Sequence, residues 1–353
     1  MPTPDGQPKL TKKERGLEES ARARVEASQA PSRVAAKAQR RRLRRLLLGG
    51  LAVGTGAIVI STGALIYIQS APAVSKTDDE IAARLHDLDG KIRRNPNILT
   101  DTALEIAEMA AETFHRDTGR ERINIREVMQ FYDTPGKYLD GLNSIKTCRA
   151  SSVDPLSDVA ATYNRANRIV VNLQQIIYDS RFPNGIDPEP AAAAYFADRH
   201  EFGHLTVKEK PIRPEFAALV GTERPLDGFI ASGLTVFKWK DDGCYDGLRI
   251  MTAFEEAVVN DHAERGVRKL KGYQRFLPRG YEDVTSDLRT EVLGPYFLDD
   301  PNRLFQIQGE SDPLLFIEEI GRKARVKTPN QNWSNGDLGM QVLTPMISKY
   351  RNG

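Results

Sequence analysis

An uncharged stretch of 23 residues, from position 46 to position 68, constrains this chain more than any other feature of its sequence. A helix of that length reaches about 34 Å, which is enough to cross a hydrocarbon core of about 30 Å. Five arginines lie between positions 40 and 45, directly before the stretch. By the positive-inside rule, the amino terminus stays in the cytoplasm and the chain after about residue 70 lies outside. We therefore expect a single-pass protein of the cell membrane, anchored by a transmembrane helix at residues 46–68.

A cleaved export signal is the alternative interpretation of the same stretch. Arg44-Arg45-Leu46 loosely resembles a twin-arginine signal, and Ala71-Pro72-Ala73 has the small residues of a cleavage site. The apolar stretch and the segment before it are both long for a signal, which favours the uncleaved anchor. Under either interpretation, residues 76–353 are carried across a membrane.

The first 45 residues form a basic head, with 13 Lys and Arg against 5 Asp and Glu. The net charge of the head is +8, and because the whole chain carries +2, the remainder carries −6. The head has no aromatic residue and cannot bury a core, so we expect a disordered cytoplasmic segment. The adjoining membrane stretch already explains its positive charge, and we expect no nucleic-acid partner. Residues 69–79 are predicted to be a linker.

Residues 80–353 are predicted to form one mainly helical α+β domain outside the cytoplasm. Apolar residues at helical spacing predict helices at 77–95, 100–115, 191–205 and 248–270, another from about 125, and several shorter ones over 272–353. Runs rich in β-branched and aromatic residues predict strands at 168–173 and 229–239. Cys148 and Cys244 are the only cysteines. Outside the cytoplasm they form either a disulfide or two buried free thiols, and both alternatives stay open.

Two of the five histidines stand four residues apart in the sequence His200-Glu201-Phe202-Gly203-His204. On a helix, His200 and His204 are one turn apart and about 40° apart around the axis, so both imidazoles can reach one metal ion. Glu201 is rotated away from them and can reach a metal-bound water instead. This is the H-E-x-x-H arrangement, in which the histidines bind Zn²⁺ and the glutamate is the general base. The alternative is a pair of structural histidines on one helix face.

A catalytic zinc usually has three protein ligands, so a third ligand is needed. The class with a third histidine is excluded, because Val207 and Lys210 stand where its glycine and histidine would be. Two adjacent acids, Glu255 and Glu256, open a predicted helix about fifty residues downstream. The other histidines, including His262, are predicted to be structural.

The sequence HEFGH followed by a helix bearing EEAVVN, residues 255–260, resembles the gluzincin metallopeptidases. The resemblance implies a zincin-like metallopeptidase fold with Glu256 as the third zinc ligand. It also implies that Asn260, four residues later, supports one of the zinc histidines, although that position is usually an acid in this clan. Glu255 stays open as an alternative ligand.

The predicted function is therefore a membrane-anchored zinc metallopeptidase that cleaves a peptide or protein substrate outside the cytoplasm. Glu201 would act as the general base, and Tyr245 and Tyr273 are candidates for a donor to the oxyanion. The strand at 168–173 is predicted to be an edge strand that holds an extended substrate. The alternative function is a catalytically inactive metallopeptidase-like domain that serves as a binding or scaffold module of the cell envelope.

Overall fold

The structure is a computed structural model. It describes residues 76–145, 159–163, 167–180, 188–220, 226–239, 249–278, 282–327, 329 and 332–350. The chain divides into two units, Met1–Val74 and Ser75–Gly353, and every described residue belongs to the second. Within these ranges, no helix is long and apolar enough to cross a membrane. The predicted head, the membrane stretch at 46–68, both cysteines and Tyr245 lie outside the described residues.

The described part begins with three helices, α1 (Asp78–Arg94), α2 (Ile98–Thr118) and the short α3 (Ile125–Val128). Helix α1 starts where the sequence predicts, because Thr77 and Glu80 form a capping box in which each side chain accepts from the other's backbone N–H. Helix α2 ends at Gly119, which has a φ of 68°. The first two predicted helices are confirmed, with α2 slightly longer than expected. The third was predicted to carry Met129 and Phe131 as well, and that extension is wrong, because the helix ends at Val128 and both residues lie in a strand.

A three-stranded sheet follows, made of β1 (Met129–Tyr132), β2 (Ala160–Tyr163) and β3 (Arg168–Asn172), with α4 (Pro135–Ile145) between β1 and β2. The strand order is β1-β3-β2, with β3 parallel to β1 and antiparallel to β2. The predicted strand at 168–173 exists, but the prediction that it is an edge strand is wrong. Its run of apolar residues is typical of a strand that is covered on both faces and paired on both sides. β1 and β2 are the two edge strands of the described sheet.

Helix α5 (Leu173–Ser180) follows β3, and α6 (Pro190–Leu205) carries the HEFGH sequence. The N-terminus of α6 has no side-chain cap of its own. Instead, the buried carboxylate of Asp89 in α1 accepts from the N–H of Ala191 at 2.6 Å, and it also accepts from the hydroxyl of Tyr273 at 2.6 Å. A distant acid therefore satisfies the first turn of the central helix.

A second small sheet contains β4 (Lys210–Pro211), β5 (Ile230–Ser232) and β6 (Thr235–Phe237), in the order β4-β5-β6, and α7 (Pro214–Val220) lies between β4 and β5. The sequence predicts one strand over 229–239, and that prediction is wrong. The chain turns back at Gly233, which has a φ of 60°, so the run is an antiparallel hairpin with a two-residue turn.

The second central helix, α8 (Thr252–Arg268), packs against α6. The remainder is helical, as predicted: α9 (Glu282–Asp287), a π-helical segment (Leu288–Leu293), α10 (Gly294–Tyr296), α11 (Arg303–Gly309), α12 (Pro313–Lys327) and α13 (Asn335–Lys349). One large apolar core joins α1, α2, α6, α8 and α12. The predicted class, a mainly helical α+β domain, is confirmed for the described residues.

Candidate metal centre

Helices α6 and α8 bring three side chains together at one point, His200 and His204 from α6 and Glu256 from α8. The Nε2 atoms of the two histidines are 3.1 Å apart. The Oε2 atom of Glu256 lies 3.2 Å from Nε2 of His200 and 3.3 Å from Nε2 of His204. Two imidazole nitrogens and one carboxylate oxygen thus form a nearly equilateral triangle, an arrangement compatible with a bound metal ion.

The two helices can approach this closely because position 203 is a glycine. A Cβ atom at Gly203 would lie 2.6 Å from Cγ1 of Val259 in α8, far inside normal contact. A glycine inside a helix costs about 1 kcal/mol relative to alanine, and the close contact explains why it is tolerated. The glycine sets the distance between the histidine helix and the glutamate helix.

Glu255 lies on the other side of His204. Its Oε1 atom is 3.1 Å from Nδ1 of that ring, whereas Nε2 faces Glu256. The carboxylate of Glu255 is 3% exposed and also accepts from the N–H of Leu234 and the amide of Gln308, each at 2.6 Å. The structure therefore places Glu256 in the triangle and Glu255 behind it, which disfavours Glu255 as the third ligand.

Glu201 lies in the same cleft as the triangle and is held by the edge strand of the first sheet. The hydroxyl of Thr162 in β2 lies 2.6 Å from Oε2 of Glu201 and 3.2 Å from the Glu201 carbonyl oxygen. One turn earlier, burial and then the charge of Glu201 raise the pKa of Asp198 well above its usual range. Sequence reasoning missed Thr162, because nothing in the sequence marks the threonine as a neighbour of the HEFGH helix.

Asn260 is buried one turn after Glu256, but its side chain points to another partner than predicted. Its Nδ2 donates to Oγ1 of Thr285 in α9 at 2.9 Å. The Nδ1 atom of His200 is buried, and no hydrogen-bond partner for it occurs among the described residues. The predicted support of a histidine by Asn260 is thus absent from the hydrogen bonds of this region.

The remaining candidates occupy structural positions. Tyr273 was expected to be a donor to the oxyanion, but it is fully buried, donates to Asp89 and stacks on His86 with ring centroids 4.2 Å apart. That prediction is wrong, because the hydroxyl is committed to the capping carboxylate of α6. His262 stacks on Phe305 at 3.7 Å in the core, as a structural histidine is expected to do.

The charges of the triangle are strongly coupled. Burial disfavours the charged form of His204, but the carboxylates of Glu256 and Glu255 outweigh it and raise the pKa of His204 well above its usual range. Burial likewise raises the pKa of Glu256, and the two histidines reverse this and hold it well below its usual range. The two glutamates beside the ring therefore favour the protonated form of His204.

The triangle opens into a cleft of about 650 Å³ that follows α6. Phe196, Phe276 and the exposed Leu277 form an apolar part of its wall, and the charged Glu189 and Arg275 also line it. Trp239 and Arg249 are further residues of the wall. Three residues of β2, Ala160, Ala161 and Thr162, also line the cleft.

Comparisons of the chain with protein-family models, curated proteins and solved structures find no match.

Proposed function

We propose that this chain is a zinc metallopeptidase, with His200, His204 and Glu256 as zinc ligands. The observation that carries the proposal is the triangle of ligand atoms at 3.1, 3.2 and 3.3 Å. Ligand atoms about 2.0–2.1 Å from a tetrahedral zinc are about 3.3 Å apart, which matches these separations. Two imidazoles, one carboxylate and an open side toward a cleft are the donor set of a catalytic rather than a structural zinc site.

Zinc in this position would lower the pKa of a bound water and stabilise negative charge on a substrate carbonyl oxygen. Glu201 would accept the proton of the attacking water and donate it to the nitrogen of the leaving amine. The hydroxyl of Thr162 holds Oε2 of Glu201, and this contact restricts the rotation of the carboxylate. Since Glu201 is 7% exposed, its carboxylate is shielded from bulk solvent.

The unpaired edge of β2 in the described sheet supports the proposal that the substrate is a polypeptide. In the described part of the sheet, β2 pairs only with β3, and Ala160, Ala161 and Thr162 line the cleft. An extended peptide can add to such an edge through its backbone. The antiparallel arrangement is favoured, because antiparallel pairs are slightly more stable. In this proposal β2, and not the strand at residues 168–173, holds the extended substrate.

Membrane anchoring by residues 46–68, with the catalytic domain outside the cytoplasm, remains part of the proposal. It rests on the uncharged stretch and the arginines before it. The second candidate function is an inactive metallopeptidase-like module of the envelope. The contact between Thr162 and Glu201 favours catalysis, because a module that only binds needs no buried, oriented carboxylate beside the metal position.

The test is metal analysis of the full-length chain purified in detergent micelles, followed by a screen with a peptide library. We expect about one zinc per chain in the wild type and in Glu201→Gln, and none retained in Glu256→Ala after dialysis. The wild type should cleave library peptides, and Glu201→Gln should not. Zinc binding without cleavage by the wild type would favour the inactive module. If the wild type binds no zinc, both the metallopeptidase and a zinc-binding inactive module are contradicted.

A further inference from the structure

We propose that Glu255 is a positioning residue that fixes the imidazole of His204 with Nε2 directed at the metal. This inference rests on the proposed function, since it assigns a role within the same site. It separates two adjacent glutamates of α8 that the sequence alone leaves as alternative ligands. Glu256 would bind the metal, and Glu255 would hold the ring that binds it.

The contact between Glu255 and His204 selects one form of the imidazole. A neutral imidazole has one nitrogen that donates and one that accepts. The carboxylate of Glu255, 3.1 Å from Nδ1 of His204, is an acceptor, so the proton of the ring is held at Nδ1. The lone pair of Nε2 is then left for the metal. Partners of this kind are known to orient metal-binding histidines and to increase their basicity.

Besides its contact with His204, Glu255 is held by donors from two other parts of the chain. The N–H of Leu234 binds Oε2, and the Nε2 of Gln308 binds Oε1, each at 2.6 Å. Behind Gln308, the guanidinium of Arg120 donates to the Oε1 of that amide at 2.7 Å. A chain of contacts therefore runs from Arg120 through the buried Gln308 and Glu255 to His204. It leaves the carboxylate little freedom to rotate away from the ring.

The same arginine also forms hydrogen bonds with the end of α6 that carries His204. Arg120 donates to the carbonyl oxygen of Gly203 and to the hydroxyl of Thr206, at 3.3 and 3.0 Å. Its guanidinium lies 4.1 Å from the centre of the Phe305 ring. The ring of His204 and the carboxylate that orients it are thus fixed to one common support.

The hairpin between β5 and β6 is shaped to reach Glu255. A Cβ atom at Gly233 would lie 2.3 Å from Oε2 of Glu255, so any larger residue there would displace the carboxylate. Glycine also allows the φ of 60° that turns the N–H of Leu234 inward. His200 has no equivalent support, because its Nδ1 lacks a partner among the described residues. His204 is therefore the preorganised ligand of the pair.

The test is the dissociation constant of zinc, measured by competition with a chelator on the full-length chain in detergent micelles. We expect Glu255→Gln and Glu255→Ala to raise the constant by about 10- to 100-fold, as loss of such a partner typically does. The amide oxygen of Gln can still accept from Nδ1 of His204 and from Gln308, and only its NH₂ would face the donor of Leu234. The smaller increase therefore belongs to this variant. The absorption spectrum of bound Co²⁺ is the second measurement, and we expect it to change because the geometry at His204 changes.

A matched control is Glu319→Gln, which alters another buried glutamate, paired with Arg322 in α12 away from the cleft. It should leave both zinc affinity and the Co²⁺ spectrum unchanged. If Glu255→Ala does not fold, Gln308→Met carries the test and should weaken zinc binding in the same direction by less. Wild-type affinity and an unchanged spectrum in the folded variants at positions 255 and 308 would overturn the proposal. Failure of the wild type to bind zinc would instead overturn the proposed function.

Discussion

Helix α6 has two buried polar faces that are stabilised in different ways. On one face, the fully buried Arg199 donates to Thr113 and pairs with Asp117 at 2.9 Å, so a cation meets an anion within the fold. On the other face, the two histidines meet the carboxylate of Glu256, with Glu201 and Glu255 close by. On the first face the charge of Arg199 is paired with that of Asp117. The second face has three carboxylates, those of Glu201, Glu255 and Glu256, and a cleft beside it. The comparison separates a face whose ion pair lies within the fold from a face whose three ligand atoms are compatible with a bound metal ion.

The largest expected effect comes from the cleft face. We expect Glu201→Gln to lower kcat by about 10²- to 10⁴-fold, the range typical of a lost general base. The fold should remain intact, because the change replaces one of three neighbouring carboxylates, those of Glu201, Glu255 and Glu256, with a neutral amide of the same size. Steady-state kinetics on a peptide found in the library screen, together with thermal unfolding, check both halves of the statement. Activity of Glu201→Gln near the wild-type level would break the assignment of the base.

Substitutions on the face that carries Arg199 should lower stability and leave zinc affinity nearly unchanged. Asp117→Ala leaves the charge of Arg199 buried without its anion, and such a loss costs about 3–5 kcal/mol of stability. The zinc dissociation constant should hardly change, because Asp117 contacts the side of α6 away from the cleft. Denaturant titration and chelator competition measure the two quantities.

Arg199→Met is the control for the same ion pair. It removes the buried charge itself, and Asp117 keeps Lys269 as a partner at 2.6 Å, so its cost should be smaller than that of Asp117→Ala. An equal loss of stability in both variants would show that packing, and not the unpaired charge, dominates this face.

The contrast between the faces also explains what the sequence could and could not predict. His200 and His204 could be placed together because both lie on one helix with a fixed geometry. Glu256 followed from the resemblance of two short motifs. Thr162, Gln308 and Leu234 could not be found, since they reach the site through contacts across 39, 53 and 21 residues of sequence. Periodicity reports which side of a helix is buried, but it does not report what covers it.

The errors in the fold have the same origin. The run at 168–173 has the composition of a strand, but its position in the sheet depends on pairing with β1 and β2, which are distant in sequence or weak in pattern. The run at 229–239 contains a turn that only Gly233 marks. Tyr273 was considered because it is near Glu256 in sequence, whereas in the fold its hydroxyl is bound to Asp89 at the start of α6.

The cap of α6 gives a smaller effect that depends on pH. Burial raises the pKa of Asp89 from 3.8 to about 6, although hydrogen bonds from Tyr273, Ala191 and Ala192 oppose the shift. Because the pKa is higher in the folded state, the unfolded state ionises first, and the stability from this group is lost as pH rises from about 4 to about 6. Between pH 4.5 and pH 7 the loss should be about 2 kcal/mol.

Asp89→Asn isolates this contribution, because asparagine does not titrate. The free energy of unfolding of the wild type minus that of Asp89→Asn, from urea titrations, should fall by about that amount between the two pH values. A difference that rises with pH would mean that the carboxylate is ionised in the folded protein and acts as a charged cap.

The smallest effect tests the boundary between the two faces, where α6 approaches α8. Gly203→Ala gains about 1 kcal/mol of helix propensity but pushes a methyl group against Val259, and such overpacking costs about 1–3 kcal/mol. The net change in stability should therefore be a loss of about 0–2 kcal/mol. Zinc affinity should fall more clearly, since the displaced helices separate His204 from Glu256.

Adding Val259→Ala creates room for the new methyl group, and the double variant should recover zinc affinity. If Gly203→Ala alone binds zinc as tightly as the wild type, the separation of the two helices is not what sets the geometry of the triangle.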